Sequence, residues 1–382
     1  MKHFLARARA AGRIALLVAA GASLAPPARS TWSIIAVDTR TGEICIAAAT
    51  CLTLDLETYL PVVRVGVGGA CAQSLIDLNG HNRLLIWNGM QQGLTAQEIL
   101  TVLLEDNPQT NKQYGIVTML GEPATYEGPS VGNARYGVAR TIEGLSYAIQ
   151  GNVLAGIQVV TDAENALLMT EGDLGQRVLA AMEAARIYGG DGRCSCHTAQ
   201  PTICGSPPPS FLFADETAFF MIARMGDPDG VCAAGFGCAN GTYFCNLNEI
   251  GTFSGIDPVV RLQSEHAAWR AGLVGRADQL RTVVEPRTAD LPSDGTTQLQ
   301  VDVELRDIEG DAVDDVAATI SIERMSGNPP AAKILGIDAL APGHFRITFR
   351  AGARVAVGRW RVTAHQGGND VLLWPEIVLN VE

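Results

Sequence analysis

Lysine is nearly missing from this sequence: of 382 residues only Lys2, Lys112 and Lys333 carry it. Basic residues as a class are outnumbered, 28 Lys and Arg against 40 Asp and Glu, for a formal charge of −12. Loss of the five basic residues among the first thirty (Lys2, Arg7, Arg9, Arg13, Arg29) would take that figure to −17. So acidic a surface repels phosphate backbones and anionic headgroups, which makes nucleic acid and acidic membrane surfaces poor partners. Long apolar runs are lacking too. Beyond residue 30 no stretch of roughly 18 uncharged apolar residues occurs, so no span is expected in the mature chain. No cysteine sits just after the early apolar run, which argues against a lipoprotein anchor.

What is present begins with that early run. Residues 1–30 open basic, continue as Ile14 to Ala25 without a charge, and end Pro26-Pro27-Ala28-Arg29-Ser30. Small residues at Ala28 and Ser30 fit the signal-peptidase rule and predict an exported protein, periplasmic or extracellular. Cleavage there makes Thr31 the first mature residue, a hydroxyl beside its own free amine. Such a pair is a nucleophile with a built-in base. The alternative is that an exported strand simply happens to start at threonine. Nine cysteines in an exported chain read as a disulfide framework, with at least one thiol left over. Cys51, at a strand end, is the candidate odd thiol, and Cys45 and Cys71 are either bonded or buried. Cys194, Cys196, His197 and Cys204 could also be read as zinc ligands, but disulfides suit the compartment better. No metal or organic cofactor is expected.

The pattern divides at about residue 275. Residues 31–274 mix strand and helix signals: a hairpin over Thr31–Asp38 and Ile44–Thr50, and a strand over Val62–Cys71 with glycines Gly66, Gly68 and Gly69. Thr95 and Glu98 form a capping box ahead of a helix to about Glu105. Strands follow at Gln113–Leu120, Gly144–Ile149 and Ala218–Arg224, with helices at Leu174–Tyr188 and Pro258–Ala271. That order predicts an α+β domain of two stacked sheets with helices outside. Residues 275–288 read as a polar linker. Residues 289–382 alternate with period two, as in Leu299–Leu305, Ala318–Glu323, His344–Phe349 and Arg359–Ala364, and predict an all-β sandwich.

Gly68 and Gly69 backbone N–H groups are candidates for an oxyanion hole near Thr31. Gln150 and Asn152 are candidate substrate-orienting or oxyanion amides, or else a strand-end tie. Arg64 is a candidate anion-binding group, and it cannot act as a base. Asp191 and Arg193 read as a loop ion pair, with substrate contact as the second option.

Thr31-Trp-Ser-Ile-Ile-Ala-Val-Asp38, Gly66-Val-Gly-Gly-Ala-Cys-Ala-Gln73 and Tyr147-Ala-Ile-Gln-Gly-Asn-Val-Leu-Ala-Gly156 resemble the bacterial and archaeal family called domain of unknown function 1028. Gly189–Arg193 and the helix from Asp257 fit it as well, so the likeness runs over residues 31–272. The resemblance implies an N-terminal-nucleophile hydrolase-like αββα sandwich and puts Thr31 at the nucleophile position, without supplying a substrate. The sequence departs from proteasome-like members of that superfamily. Ala49-Thr50 stands where their supporting aspartate falls, and Arg64 lies near their lysine. From Ala289 onward the chain resembles invasin-type bacterial immunoglobulin-like domains, modules that serve as spacers or binding platforms. The expected function is amide-bond hydrolysis on a peptide, a peptidoglycan amide or an acylated amine, with envelope contact through the second domain. A non-catalytic surface or binding protein on the same scaffold is the rival. Homo-oligomerisation is left open.

Overall fold

The computed structural model describes residues 31–382 apart from 234–235, 252–254 and 327–329, so the expected signal segment lies outside the described residues. The first block opens with a hairpin of β1 (Thr31–Asp38) and β2 (Glu43–Thr50), followed by α1 (Leu56–Tyr59), β3 (Pro61–Arg64) and β4 (Gly68–Ser74). Next come α2 (His81–Gln91), α3 (Ala96–Asp106), β5 (Lys112–Thr118), β6 (Ala124–Glu127), β7 (Tyr136–Ile142) and β8 (Leu145–Asn152). The block closes with α4 (Gln158–Met169), α5 (Leu174–Ile187), α6 (Gly192–Ser195), β9 (Thr217–Ala223), β10 (Cys245–Ile250) and α7 (Pro258–Ala271).

These strands make two antiparallel sheets, one in the order β10-β9-β2-β1-β8-β7 and one in the order β3-β4-β5-β6. The sheets stack face to face: Ile35, Val37, Ile44 and Ile46 of the first share a core with Val63, Cys71 and Val117 of the second. The outer face of the first sheet, with Trp32, Ile34 and Phe220, buries Val160, Val178, Met182 and Leu262 of α4, α5 and α7. The outer face of the second, with Ala70, Ala72 and Ile116, packs on Ile86, Leu100 and Leu103 of α2 and α3. Period-two alternation along β1 therefore sends even positions to the helices and odd positions to the other sheet.

Local chemistry sets the element ends. Thr95 and Glu98 form the capping box of α3, and Asp173 and Gln176 make a second one on α5. Pro258 follows the Asp257 cap of α7, a first-turn position where its missing N–H costs nothing. The sequence reads residues 62–71 as one strand. The chain instead turns at Gly66, whose φ of +68° is open to glycine, and divides it into β3 and β4.

The second block comprises β11 (Val283–Glu285), β12 (Thr288–Leu291), β13 (Gln298–Glu304), β14 (Thr319–Ser326), β15 (Ala332–Ala341), β16 (His344–Ala351), β17 (Ala356–Gln366) and β18 (Asn369–Val381). Two four-stranded sheets, β11-β13-β16-β15 and β12-β18-β17-β14, close over Val301, Ile347, Phe349, Trp360, Leu373 and Leu379. This block is all-β, as its alternation predicts. The segment expected as a linker is firmly built in. Val283–Glu285 pairs with β13, and Asp278 and Gln279 are buried against the first block. There the Arg224 guanidinium donates to Glu43 Oε1 at 2.6 Å and Asp278 Oδ2 at 2.7 Å, and lies 3.5 Å from the Phe244 ring centroid.

Three disulfides, Cys51–Cys194, Cys196–Cys204 and Cys232–Cys238, staple the first block. Cys51 is thus not the odd thiol. Cys45, Cys71 and Cys245 are the reduced cysteines, all buried. Among the described residues, no helix is long and apolar enough to cross a membrane.

Candidate active site at the start of the central strand

Thr31 occupies the first position of β1, an interior strand of the larger sheet, in register with Asn152 of β8. As an odd residue it faces the second sheet, and it is fully buried. Around it the two sheets place a cluster of neutral polar side chains where apolar residues would otherwise meet. Gln73 of β4 donates from Nε2 to the Thr31 carbonyl and to Gln113 Oε1, both at 2.8 Å, and accepts from Ser33 Oγ at 2.7 Å. Gln113 of β5 donates to the Gly151 carbonyl at 3.0 Å. Gln150 of β8 donates to Ser33 Oγ at 3.3 Å, and Asn152 donates to the Val131 carbonyl at 3.1 Å. Gly115 makes room for this: a Cβ there would stand 2.8 Å from Gln150 Oε1. That oxygen is buried without a hydrogen-bond partner, an exception to the rule that buried polar atoms are paired.

The backbone beside the cluster is strained. Ser74 and Val153, the residues at or just past the ends of β4 and β8, have φ of +74° and +53°, and Ala134, whose carbonyl accepts from Leu154 N–H, has +47°. A β-branched residue at positive φ is a costly conformation that only a constrained surrounding maintains. Three of the four non-glycine residues with positive φ among the described residues thus gather near Thr31.

Behind the strand, on the helix side, Trp32 Nε1 donates to Asp215 at 3.0 Å to Oδ1 and 3.2 Å to Oδ2. Asp215 is fully buried. Burial first, then the like charges of Asp257 and Asp191, push its carboxyl well above the ordinary carboxylate range. Asp191 is also buried and caps α6. It accepts from Arg193 Nη2 and from the Cys51 N–H, both at 2.7 Å. Cys51 lies two residues beyond Ala49, the strand partner of Trp32, so Asp191 and Arg193 frame the same end of the sheet.

The structure therefore gathers Thr31, Gln150 and Asn152, with the Asp191–Arg193 ion pair alongside. It does not bring Gly68, Gly69 or Arg64 there. Gly68 and Gly69 form the opposite end of β4 from Gln73, paired within their own sheet, and a Cβ on Gly69 would meet Ile46 at 2.7 Å. Arg64 pairs with Asp229 at 2.6 Å and sits 4.9 Å from the Trp87 ring centroid. The physical reason is register: the sheet-to-sheet stacking, not the glycine pattern, decides which end of β4 meets Thr31. Sequence reasoning missed Ser33, Gln73, Gln113 and Asp215. Ser33 carried a signal, a polar residue at i+2 from Thr31 on an otherwise apolar strand. Isolated glutamines and a single loop aspartate carried none.

Cys71 belongs to the same inter-sheet space, but burial pushes its thiol up to about 12, which leaves it protonated and a poor nucleophile. The group of Cys51, Cys194 and Glu216 has ligand-like proximity, yet two of its members are bonded to each other.

Residues 31–210 match the model of a family of unknown function, DUF1028. No curated protein matches the chain. Among solved structures, a DUF1028 protein of Silicibacter pomeroyi aligns at 17% identity over 63% of this chain and 85% of its own, with a TM-score of 0.43. The Yersinia pseudotuberculosis adhesin InvE aligns at 17% identity over 26% of each chain, with a TM-score of 0.21. InvD of the same organism aligns at 19% identity over 26% of this chain and 27% of its own, at 0.20. The chain thus spans about a quarter of the length of either Yersinia protein.

Proposed function

We propose that this is an exported amide-bond hydrolase of the N-terminal-nucleophile type, with Thr31 as nucleophile once the chain is cleaved after Ser30. The observation that carries the reading is the placement of Thr31. It is the first residue of an interior strand, faces a second stacked sheet, and its carbonyl is fixed by Gln73 at 2.8 Å. Helices on the outer faces of two antiparallel sheets match the αββα order of that superfamily. Three disulfides support an oxidising compartment.

The chemistry follows from the residues. In the uncleaved chain the Thr31 nitrogen is a peptide nitrogen and cannot take a proton. Cleavage turns it into an amine, which accepts the hydroxyl proton as Oγ1 bonds to the substrate carbonyl carbon. The C–N bond then breaks, the leaving amine takes that proton, and an acyl ester remains on Thr31. Water, deprotonated by the same amine, releases the acid. The oxyanion donor is Asn152 Nδ2, which donates to the Val131 carbonyl at 3.1 Å and would exchange its longer contact, to Ser74 Oγ at 3.5 Å, for the oxyanion. Gln150 Oε1, lacking a partner, is suited to accept a substrate N–H.

A second reading is favoured by one observation: Ser33, Gln73, Gln113, Gln150 and Asn152 bring no titratable side chain. A cluster of that kind also serves as a polar spacer in a non-catalytic binding protein. Reaction of the mature protein and of Thr31→Ala with an electrophilic acyl probe separates the two. The hydrolase reading requires label on Thr31 that the variant lacks, whereas equal labelling of both proteins defeats it.

A further inference from the structure

A hydrogen-bonded group of a serine, a histidine and an aspartate lies in the all-β block, far along the chain from Thr31. Three adjacent strands, β14, β17 and β18, each contribute one side chain to the same outward face. His365 stands directly opposite Asp370 in the β17–β18 register, and diagonally from Ser321, whose strand partner is Thr363. Their neighbours Ile320, Ala364 and Leu373 point the other way, into the core. His365 Nδ1 is 2.6 Å from Asp370 Oδ1, and His365 Nε2 is 2.7 Å from Ser321 Oγ.

The order of these contacts is what chemistry needs. A carboxylate that accepts the Nδ1–H fixes the imidazole tautomer and leaves the Nε2 lone pair facing the serine hydroxyl. A hydroxyl, a base within hydrogen-bond reach and a third group orienting that base are the geometric signature of an activated nucleophile.

The site also has somewhere to put a substrate. A cavity of about 290 Å³ opens between the two blocks, with Phe244, Leu273, Leu372 and Asp370 in its wall and Arg276 at its side. Leu372 is paired with Thr363, which is paired with Ser321, so the three share one row across the sheet. At the usual strand spacing the cavity wall at Leu372 lies roughly 10 Å from Ser321.

We propose that Ser321, His365 and Asp370 form a second hydrolytic site, acting on carboxylic esters whose apolar acyl group enters the inter-block cavity. Esters suit an open face, because an alkoxide leaves more readily than an amine. Ser321 Oγ bonds to the ester carbonyl carbon as its proton passes to His365 Nε2. The C–O bond to the alcohol breaks, and the alkoxide takes that proton. Water, deprotonated by His365, then attacks the acyl-serine; the Oγ–acyl bond breaks and the proton returns to Ser321. Carboxylic acid and alcohol are the products. Asp370 orients the base and does not touch the reacting atoms.

The test treats the full chain with a fluorophosphonate probe and maps the label by peptide mass spectrometry, alongside turnover of p-nitrophenyl butyrate. Label on Ser321 is expected, with the rate falling by at least about ten-fold in His365→Ala and in Asp370→Asn. Ser321→Ala, made in a Thr31→Ala background so that Thr31 adds no turnover, should abolish turnover with an unchanged melting temperature. A Ser321 that stays unlabelled in the folded protein overturns the proposal. So does labelling at the same rate in Asp370→Asn as in the parent, which needs no folding of the alanine variant. Because the label is mapped to its own peptide, that of Ser321 or that of Thr31, failure here and failure of the Thr31 reading are distinct results.

Discussion

Gln73 Nε2 donates to the main-chain carbonyl of Thr31 at 2.8 Å, joining the two sheets at the first residue of β1. The same amide binds Gln113 and Ser33, so one side chain holds three strands in register at this point. Replacing Gln73 by Leu removes all three bonds while keeping the volume. Loss of about 2–4 kcal/mol of unfolding free energy is expected, because buried polar groups are stranded. Urea unfolding measures it, and acyl labelling at Thr31 should fall further than the stability loss accounts for.

Gly115→Ala tests whether the cluster is tightly fitted. The added methyl would lie 2.8–2.9 Å from all three amide atoms of Gln150. Overpacking of this kind costs about 1–3 kcal/mol. Pairing it with Gln150→Ala should recover much of that loss in a double-mutant cycle.

Asp215 gives a pH dependence of definite sign. Its folded-state affinity for a proton is raised, by burial and by Asp257 and Asp191, so the native state holds more protons than the unfolded chain. Stability from this group is therefore complete at low pH and declines as pH climbs from the ordinary carboxylate range toward the raised value. Asp215→Asn keeps an acceptor for Trp32 and abolishes that slope. Denaturation midpoints between pH 4.5 and 8 should be flatter in the variant than in the parent; equal slopes would remove Asp215 as the cause.

Much of this architecture was legible because it is written in local patterns. The hairpin from Thr31, the Thr95 capping box, the Pro258 helix and the period-two strands after residue 297 all appear where their residues predict. The αβ block's α2 was not foreseen, as its face mixes Asn82 and Arg83 with Ile86 and buries all three. At the site, Thr31, Gln150 and Asn152 were readable, while Gln73 and Gln113 were not. Those two meet Thr31 only through the stacking of one sheet on another, and no sequence period encodes that offset. Arg64 and the Gly68-Gly69 pair were misplaced for the same reason. The bond of Cys51 to Cys194 spans 143 residues and likewise follows from tertiary proximity alone.

That bond yields a further prediction. Cys51→Ser with Cys194→Ser opens a long loop, and about 3–5 kcal/mol of stability should go with it. Alkylation of the denatured parent without reductant should modify three thiols, Cys45, Cys71 and Cys245, and no others. The double variant should keep that count, which mass spectrometry reads directly.

The most direct test of the account is the identity of the mature first residue, read by terminal sequencing, combined with an acyl-probe adduct mapped on the same preparation. The account predicts threonine at position 31 as the terminus and the adduct on its side chain, absent from Thr31→Ala. A mature chain that begins elsewhere, or an adduct that persists in the variant, would contradict it.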